Sequence, residues 1–151
     1  MATDAVTLIV KDHRIMERLF DKLRSGTGDR QQLLDECAAR LTAHSHAEEE
    51  RVYPVLAEIG EQEEAHHGAG EHHQAERMLH DLQRMSPEGP DFEDRLEDFI
   101  EAVRHHVEEE ESQMLPALQE ALSAERLDEL GAAFEEVRLR ELEVAGLGLR
   151  Q

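Results

Sequence analysis

Apolar residues recur every three or four positions along most of this chain, which is the spacing that places them on one face of an α-helix. Five such segments follow one another, and turn signals rich in Gly, Pro, Ser and Asp separate them. The predicted helices cover residues 4–24, about 30–59, about 65–85, about 92–121 and about 123–145. Asp29, Asp91 and Ser123 have the side chains expected at helix N-caps. We therefore predict an all-α fold.

Histidine and glutamate interrupt the apolar stripes of four predicted helices. Six residues of these types lie on the stripes that face the core: His13 on the first helix, His44 and Glu48 on the second, His72 on the third, and His106 and Glu110 on the fourth. Because residues four apart share one helix face, each HxxxE motif presents an imidazole and a carboxylate in the same direction. An unpaired carboxylate in an apolar interior costs several kcal/mol, so we expect a cation beside these side chains.

The chain carries this pattern twice. The segment HSHAEEERVYP of the second helix aligns with HHVEEEESQMLP of the fourth, and DHRIMERLF of the first aligns with EHHQAERML of the third. The alignment pairs the stripe residues with one another: His44 with His106, Glu48 with Glu110, and His13 with His72. Two helical hairpins of one kind therefore make up residues 4–120 and predict a four-helix bundle with pseudo-twofold symmetry. We treat residues 1–151 as one domain, with the bundle over about 4–121 and a short appended fifth helix over about 123–145.

The residue types on the stripes favour a metal centre. Imidazole and carboxylate without a thiolate cluster suit iron or manganese better than structural zinc, and two carboxylates able to bridge indicate two ions. A metal-free network of buried His–Glu hydrogen bonds also accounts for the pattern. A ferritin-like site is excluded, because it requires ExxH on two helices and this chain has it on one, within residues 63–67. The remaining histidines lie mostly off the stripes and are expected in solvent: His46, His66, His67, His73, His80 and His105.

Charge restricts the classes of partner. Acidic residues outnumber basic ones by 36 to 16, which gives a formal net charge of −20. Nucleic acid and anionic membranes both require a basic face, so we expect neither as a partner. No apolar run reaches about 18 residues, so we expect no membrane span. No basic start precedes an apolar stretch, so we expect no signal peptide, and the cytoplasm is the default location. The single cysteine, Cys37, has no internal disulfide partner and is expected to pack in the core.

The six stripe residues, together with the phrases DHRIMERLF, HxxxEExxxYP and HxxxEExxxLP, resemble the hemerythrin-like, or HHE cation-binding, domain over about residues 4–120. The resemblance implies an antiparallel up-down four-helix bundle that holds two iron ions rather than manganese or zinc. By the same resemblance, Glu48 and Glu110 bridge the irons together with an oxo or hydroxo group, and the four histidines complete the ligand set.

The chain departs from the oxygen-carrying hemerythrins at two positions. Those proteins have a second histidine four residues after that of the third helix, where this chain has Glu76. They also place the fourth-helix carboxylate five residues after its histidine, the position of Glu111, whereas the internal repeat favours Glu110. Glu76, Tyr53 or one of the extra histidines is a candidate substitute ligand. Tyr53 lies about 140° round the helix from Glu48 at about 100° per residue, so we expect it to pack or to bond to a ligand rather than to ligate.

We expect a protein that binds or reacts with oxygen, peroxide or nitric oxide at the di-iron centre. An open position on both irons would favour peroxide or nitric oxide chemistry over reversible oxygen carriage. Carriage, sensing and turnover are not separated by the sequence, because function depends on the open site and its surroundings. An iron storage or donation protein and a metal-free helical interaction module are the alternatives. The expected partner is a small diatomic or peroxide molecule, and the sequence identifies no protein partner.

Overall fold

The computed structural model describes residues 4–147, and every regular element in this range is helical. The α-helices are α1 (Ala5–Ser25), α2 (Arg30–Ala47), α3 (Tyr53–Glu58), α4 (Gln62–Arg84), α5 (Phe92–Glu109), α6 (Leu115–Ala121) and α7 (Ala124–Val144). Two π-helical turns, Glu48–Val52 and Glu110–Met114, join α2 to α3 and α5 to α6. The all-α prediction is confirmed. The single-domain prediction stays untested, and its residues 1–3 and 148–151 lie outside the described range.

Local sequence signals account for most of the helix ends. The Asp29 side chain accepts hydrogen bonds from the backbone N–H groups of the first turn of α2, and Ser123 caps α7 in the same way. Asp91 is the N-cap residue of α5, as predicted, but its side chain makes no hydrogen bond to the first turn. Gly60 follows α3 with a φ of 94°, a left-handed conformation that glycine adopts without strain.

The π-helical turns follow from the repeated prolines Pro54 and Pro116. A proline ring clashes with the carbonyl four residues earlier and offers no N–H, so a regular α-helix does not continue through it. The backbone widens just before each proline, where Tyr53 N–H bonds to the Glu48 carbonyl and Leu115 N–H bonds to the Glu110 carbonyl, five residues earlier. The second and fourth predicted helices are therefore each a long helix with one widened turn.

Two apolar clusters form the core. The first core cluster contains Met16, Leu19, Phe20, Leu23, Leu34, Cys37, Leu41, Ala75, Leu79, Leu82, Phe92, Leu96, Phe99, Ile100, Val103 and Val107. The second core cluster contains Ala5, Ile9, Ala47, Val52, Tyr53, Leu56, Ala65, Met114, Leu115, Leu118, Leu127, Leu130, Phe134 and Val137. Cys37 is fully buried, and burial raises the pKa of its thiol to about 12, in keeping with a packing role.

The polar stripe residues lie between the two core clusters on every helix that carries them. Along α1 and α4 the chain runs from the second cluster through His13 or His72 to the first cluster. Along α2 and α5 it runs in the opposite order, through His44 or His106. Helix α1 packs on α2, α5 and α7, while α4 packs on α2 and α5. None of the helices within residues 4–147 combines the length and apolarity needed to cross a membrane.

Candidate metal centre

The structure brings the six predicted stripe residues together in one buried site, here called the inner cluster. Its members are His13, His44, Glu48, His72, His106 and Glu110, and each is at most 7% exposed. Their ligand-type atoms form two groups, and within each group all of them lie within 4.8 Å of one another. One group contains His13 and His44, the other contains His72 and His106, and both contain Glu48 and Glu110. The two groups therefore share their carboxylates.

Each inner glutamate faces one histidine of its own helix and one of another helix. Glu48 Oε1 lies 3.1 Å from the Nε2 atoms of both His44 and His72. Glu110 lies 3.0 Å from His13 Nε2 through Oε1 and 3.3 Å from His106 Nε2 through Oε2. The HxxxE motifs supply the contacts within a helix, and the packing of α1 and α4 supplies those between helices.

Four further carboxylates, here called the outer carboxylates, hold the other nitrogen of each imidazole. The Nδ1–oxygen distances are 2.6 Å for His13 with Glu111, 2.7 Å for His44 with Asp12, 2.7 Å for His72 with Glu49, and 2.7 Å for His106 with Glu71. An ionised carboxylate only accepts hydrogen bonds, so each Nδ1 donates. In a neutral imidazole the Nε2 atom then carries a lone pair, and this lone pair is directed at an inner carboxylate.

Several atoms at the centre of the inner cluster lack hydrogen bonds. The buried atoms without a partner include Nε2 of His13 and of His44, both carboxylate oxygens of Glu48, and Oε1 of Glu110. Lone pairs facing lone pairs at about 3 Å in an apolar interior are unfavourable unless a positive charge lies between them. Imidazole nitrogen and carboxylate oxygen are ligands of iron, manganese and zinc, so these residues fit a bound cation.

The electrostatics of the cluster show the same demand for positive charge. Burial lowers the pKa of His44, but Glu48 and Asp12 outweigh that effect and hold it well above its usual value. Burial likewise lowers the pKa of His106, whereas hydrogen bonds to Glu110 and Glu71 raise it to about 10. Burial raises the pKa of Glu110, but the neighbouring imidazoles of His106 and His13 outweigh that effect and hold the pKa well below its usual range. Glu110 is therefore ionised, and either protons on the imidazoles or metal ions balance its charge.

Tyr53 enters the site, contrary to the direction predicted from regular α-helical phase. Its hydroxyl donates to Glu110 Oε2 at 2.9 Å and lies 3.3 Å from His72 Nε2, and its ring stacks on His72 at a centroid distance of 5.4 Å. The wrong direction results from the π-helical turn, which changes the phase of every residue after Glu48. Tyr53 therefore contacts Glu110 and His72, two of the residues predicted as metal ligands. Gly68 leaves room for the hydroxyl, because a Cβ there would lie 2.7 Å from the Tyr53 oxygen.

The other candidate substitutes lie outside the inner cluster. Glu111 is an outer carboxylate, which agrees with the preference of the repeat for Glu110 as the inner residue. Glu76 is half-buried on the wall of a surface cavity beside α2 and belongs to neither metal-ligand group. The extra histidines that were expected in solvent are all exposed: His46, His66, His67, His73, His80 and His105.

Sequence reasoning missed the outer carboxylates Asp12, Glu49 and Glu71. The internal repeat contained the signal, because it aligns Asp12 with Glu71 and Glu49 with Glu111. It gave no indication of Arg138 on α7, whose Nε lies 3.0 Å from Asp12 Oδ1. A hydrogen bond from an imidazole Nδ1 to a carboxylate orients the ring and raises its basicity. The outer carboxylates would therefore strengthen the imidazoles that they contact as metal ligands.

Comparison with known proteins identifies the family. The family model of the hemerythrin HHE cation binding domain matches residues 4–118. A crystal structure of a hemerythrin HHE cation binding domain-containing protein from Mycobacterium kansasii superposes with a TM-score of 0.85 at 25% identity, covering 99% of this chain and 93% of that one. The chain belongs to the hemerythrin HHE cation-binding domain family, and its buried His/Glu groups are suited to a metal.

This chain spans only about a third to two thirds of the length of two of its relatives by sequence, and most of the length of another. An uncharacterised hemerythrin-like protein of Schizosaccharomyces pombe is 30% identical over 137 residues, covering 86% of this chain and 66% of that protein. A protein of Nostoc sp. PCC 7120 named DNA nickase is 29% identical over 129 residues, covering 84% of this chain and 37% of that protein. An uncharacterised protein of Mycobacterium tuberculosis, 26% identical over 143 residues, is matched over 88% of its length.

Proposed function

We propose that this protein holds two iron ions in the inner cluster and uses them to bind or react with a small ligand, namely oxygen, peroxide or nitric oxide. The observation that carries the proposal is the pair of buried groups in which imidazole Nε2 atoms face two shared carboxylates. In these groups Nε2 of His13 and of His44 and three of the four carboxylate oxygens have no hydrogen-bond partner. The supporting scaffold is an antiparallel four-helix bundle of α1, α2–α3, α4 and α5–α6, against which α7 packs.

The sharing of Glu48 and Glu110 supports two ions. Each group has two imidazoles of its own, and both groups contain the same two carboxylates. Two cations bound there would therefore be bridged by the same glutamates. Imidazole and carboxylate ligands with open positions are typical of non-haem iron sites, and the family resemblance favours iron over manganese and zinc. When bound, iron would supply redox and Lewis-acid chemistry.

The protein side chains have separate tasks in this proposal. The outer carboxylates keep each imidazole in the tautomer that presents an Nε2 lone pair and increase its basicity. Tyr53 places an O–H donor beside Glu110 Oε2, where it orients that carboxylate and holds a proton within the buried site. The two core clusters exclude bulk water on both sides of the inner cluster, which strengthens the electrostatic interactions within it.

The ligand set favours reaction over reversible oxygen carriage. Each group offers two histidines and two shared glutamates, and Glu76 supplies no additional ligand. Both metal positions would therefore keep room for exogenous ligands, which suits peroxide or nitric oxide chemistry. The net charge of −20 on this chain opposes nucleic-acid binding, so the activity that the name of the Nostoc relative implies is not proposed for it.

Metal analysis of the purified, iron-loaded protein tests the proposal. We expect about two irons per chain, and His44→Ala should lose at least one of them because His44 belongs to the inner cluster. His46→Ala is the matched control, since His46 lies two residues away on the same helix and is exposed. Iron content near zero, one zinc per chain, or equal loss in both variants would contradict the di-iron centre. Many irons per chain would favour storage.

A further inference from the structure

A basic cavity lies outside the metal centre, between α1, α2 and α7. Its volume is about 360 Å³, and its polar lining consists of Lys11, Asp12, Arg18, Arg40, Glu135 and Arg138. Four of the chain's 16 basic residues therefore line one small cavity of a protein whose net charge is −20. A concave site with low-dielectric walls focuses the field of such a cluster and attracts anions.

Arg40, one of the lining residues, has a hydrogen-bond donor without a partner. The residue is only 7% exposed, and its Nε donates to Glu36 at 2.9 Å. Its Nη1 atom is buried and has no hydrogen-bond partner within the described residues. Leaving a buried donor of a charged group unbonded is costly, so a shift of the Arg40 side chain that brought Nη1 to a bound acceptor would be favourable.

The two acidic residues of the cavity are already engaged by another arginine. Arg138 contacts Asp12 Oδ1 through Nε at 3.0 Å and donates to Glu135 Oε1 through Nη1 at 3.2 Å. Lys11 and Arg18 make no ion pair within residues 4–147. The cavity thus keeps two cationic side chains, those of Lys11 and Arg18, that are available to an anion.

We propose that this cavity binds a phosphate group, either as the free ion or on a small molecule. Guanidinium groups match the oxygen geometry of phosphate, and the anion would offset the excess of positive charge. The volume lies within the range of small-molecule sites and exceeds the space needed by phosphate alone. The assignment rests on α1, α2 and α7 and does not depend on a metal in the inner cluster.

Isothermal titration calorimetry of the full-length, iron-loaded protein tests the proposal, with sodium phosphate as titrant and sodium chloride holding ionic strength constant. Arg40→Gln and Arg18→Gln should each weaken phosphate binding by about tenfold or more, the effect of losing one hydrogen bond to a charged group. Arg95→Gln is the control, because Arg95 is exposed on α5 and makes the same change in net charge away from the cavity. Arg18 is exposed, so its variant tests the site even if Arg40→Gln is poorly folded by circular dichroism.

A second titrant, a small phosphomonoester such as glycerol phosphate, identifies the source of the phosphate group. Tighter binding of the ester indicates a phosphorylated small molecule, tighter binding of inorganic phosphate indicates the free ion, and both support the cavity assignment. The absence of binding by the wild type, or equal affinity in wild type and all three variants, would overturn it. Equal affinity would also be the result if phosphate bound only to iron.

Discussion

Replacing Glu111 with glutamine removes one outer carboxylate charge while keeping a side chain of the same shape. Glu111 accepts a hydrogen bond from His13 Nδ1 at 2.6 Å and is also paired with Arg14. The glutamine carbonyl oxygen can still accept from His13, so the imidazole keeps its tautomer. What is lost is the charge that makes the imidazole more basic and a stronger metal ligand.

The size of the effect follows from that bond. A hydrogen bond to a charged group contributes about 1.5 to 3 kcal/mol, and a neutral acceptor retains about half of it. The Glu111 side chain is 25% exposed. Solvent screening therefore places the loss near the lower end, at about 1 kcal/mol. We expect iron affinity at one of the two metal positions to fall by about five- to tenfold.

Competition with a chromogenic iron chelator measures this loss. Glu108→Gln is the matched control, because Glu108 lies one helical turn earlier, is exposed and makes the same change in net charge. The expected result is one weakened iron in Glu111→Gln and two unaffected irons in Glu108→Gln. If the two variants release iron equally, the outer carboxylates do not strengthen the imidazoles as metal ligands.

Three other predictions follow from the same structure. In the chelator-treated protein, protonated His106, with a pKa of about 10, contributes its full stabilisation below the usual pKa of 6.5, and this contribution is lost as pH rises towards 10. The iron-loaded protein should instead lose metal and stability as pH falls. Melting curves of both forms across pH compare the two. Gly68→Ala should lower the unfolding free energy measured by urea titration by about 1 to 3 kcal/mol, because the new Cβ displaces Tyr53. Gly70→Ala is the control and should cause no such loss, because its Cβ meets open space. Phe99→Ala should cost about 3 to 5 kcal/mol in the same urea assay, because Phe99 is fully buried against Phe20.

The sequence contains enough information to identify the inner cluster. Each inner residue lies on a stripe whose other members are apolar, so helical geometry alone directs it to the core. The internal repeat then decides between neighbours, favouring Glu110 over Glu111. The same repeat aligned the outer carboxylates without indicating their role, because their contacts connect different helices.

Other features depend on structure that periodicity does not describe. The direction of Tyr53 follows from a π-helical turn. Pro54 signals that the regular helix is interrupted, but a count at about 100° per residue assumes an uninterrupted α-helix and so gives the wrong direction. Arg138 reaches Asp12 because α7 packs on α1 and α2, and this tertiary arrangement has no counterpart in the repeat. The basic cavity needs three helices to be in place before its cations are neighbours.

Crystallography of the iron-loaded protein at the iron absorption edge tests the central claim most directly. The proposal predicts two anomalous peaks per chain, both between Glu48 and Glu110, one beside His13 and His44 and the other beside the second histidine pair. A single peak, a peak only at the exposed histidines, or no peak in the inner cluster would contradict the di-iron centre.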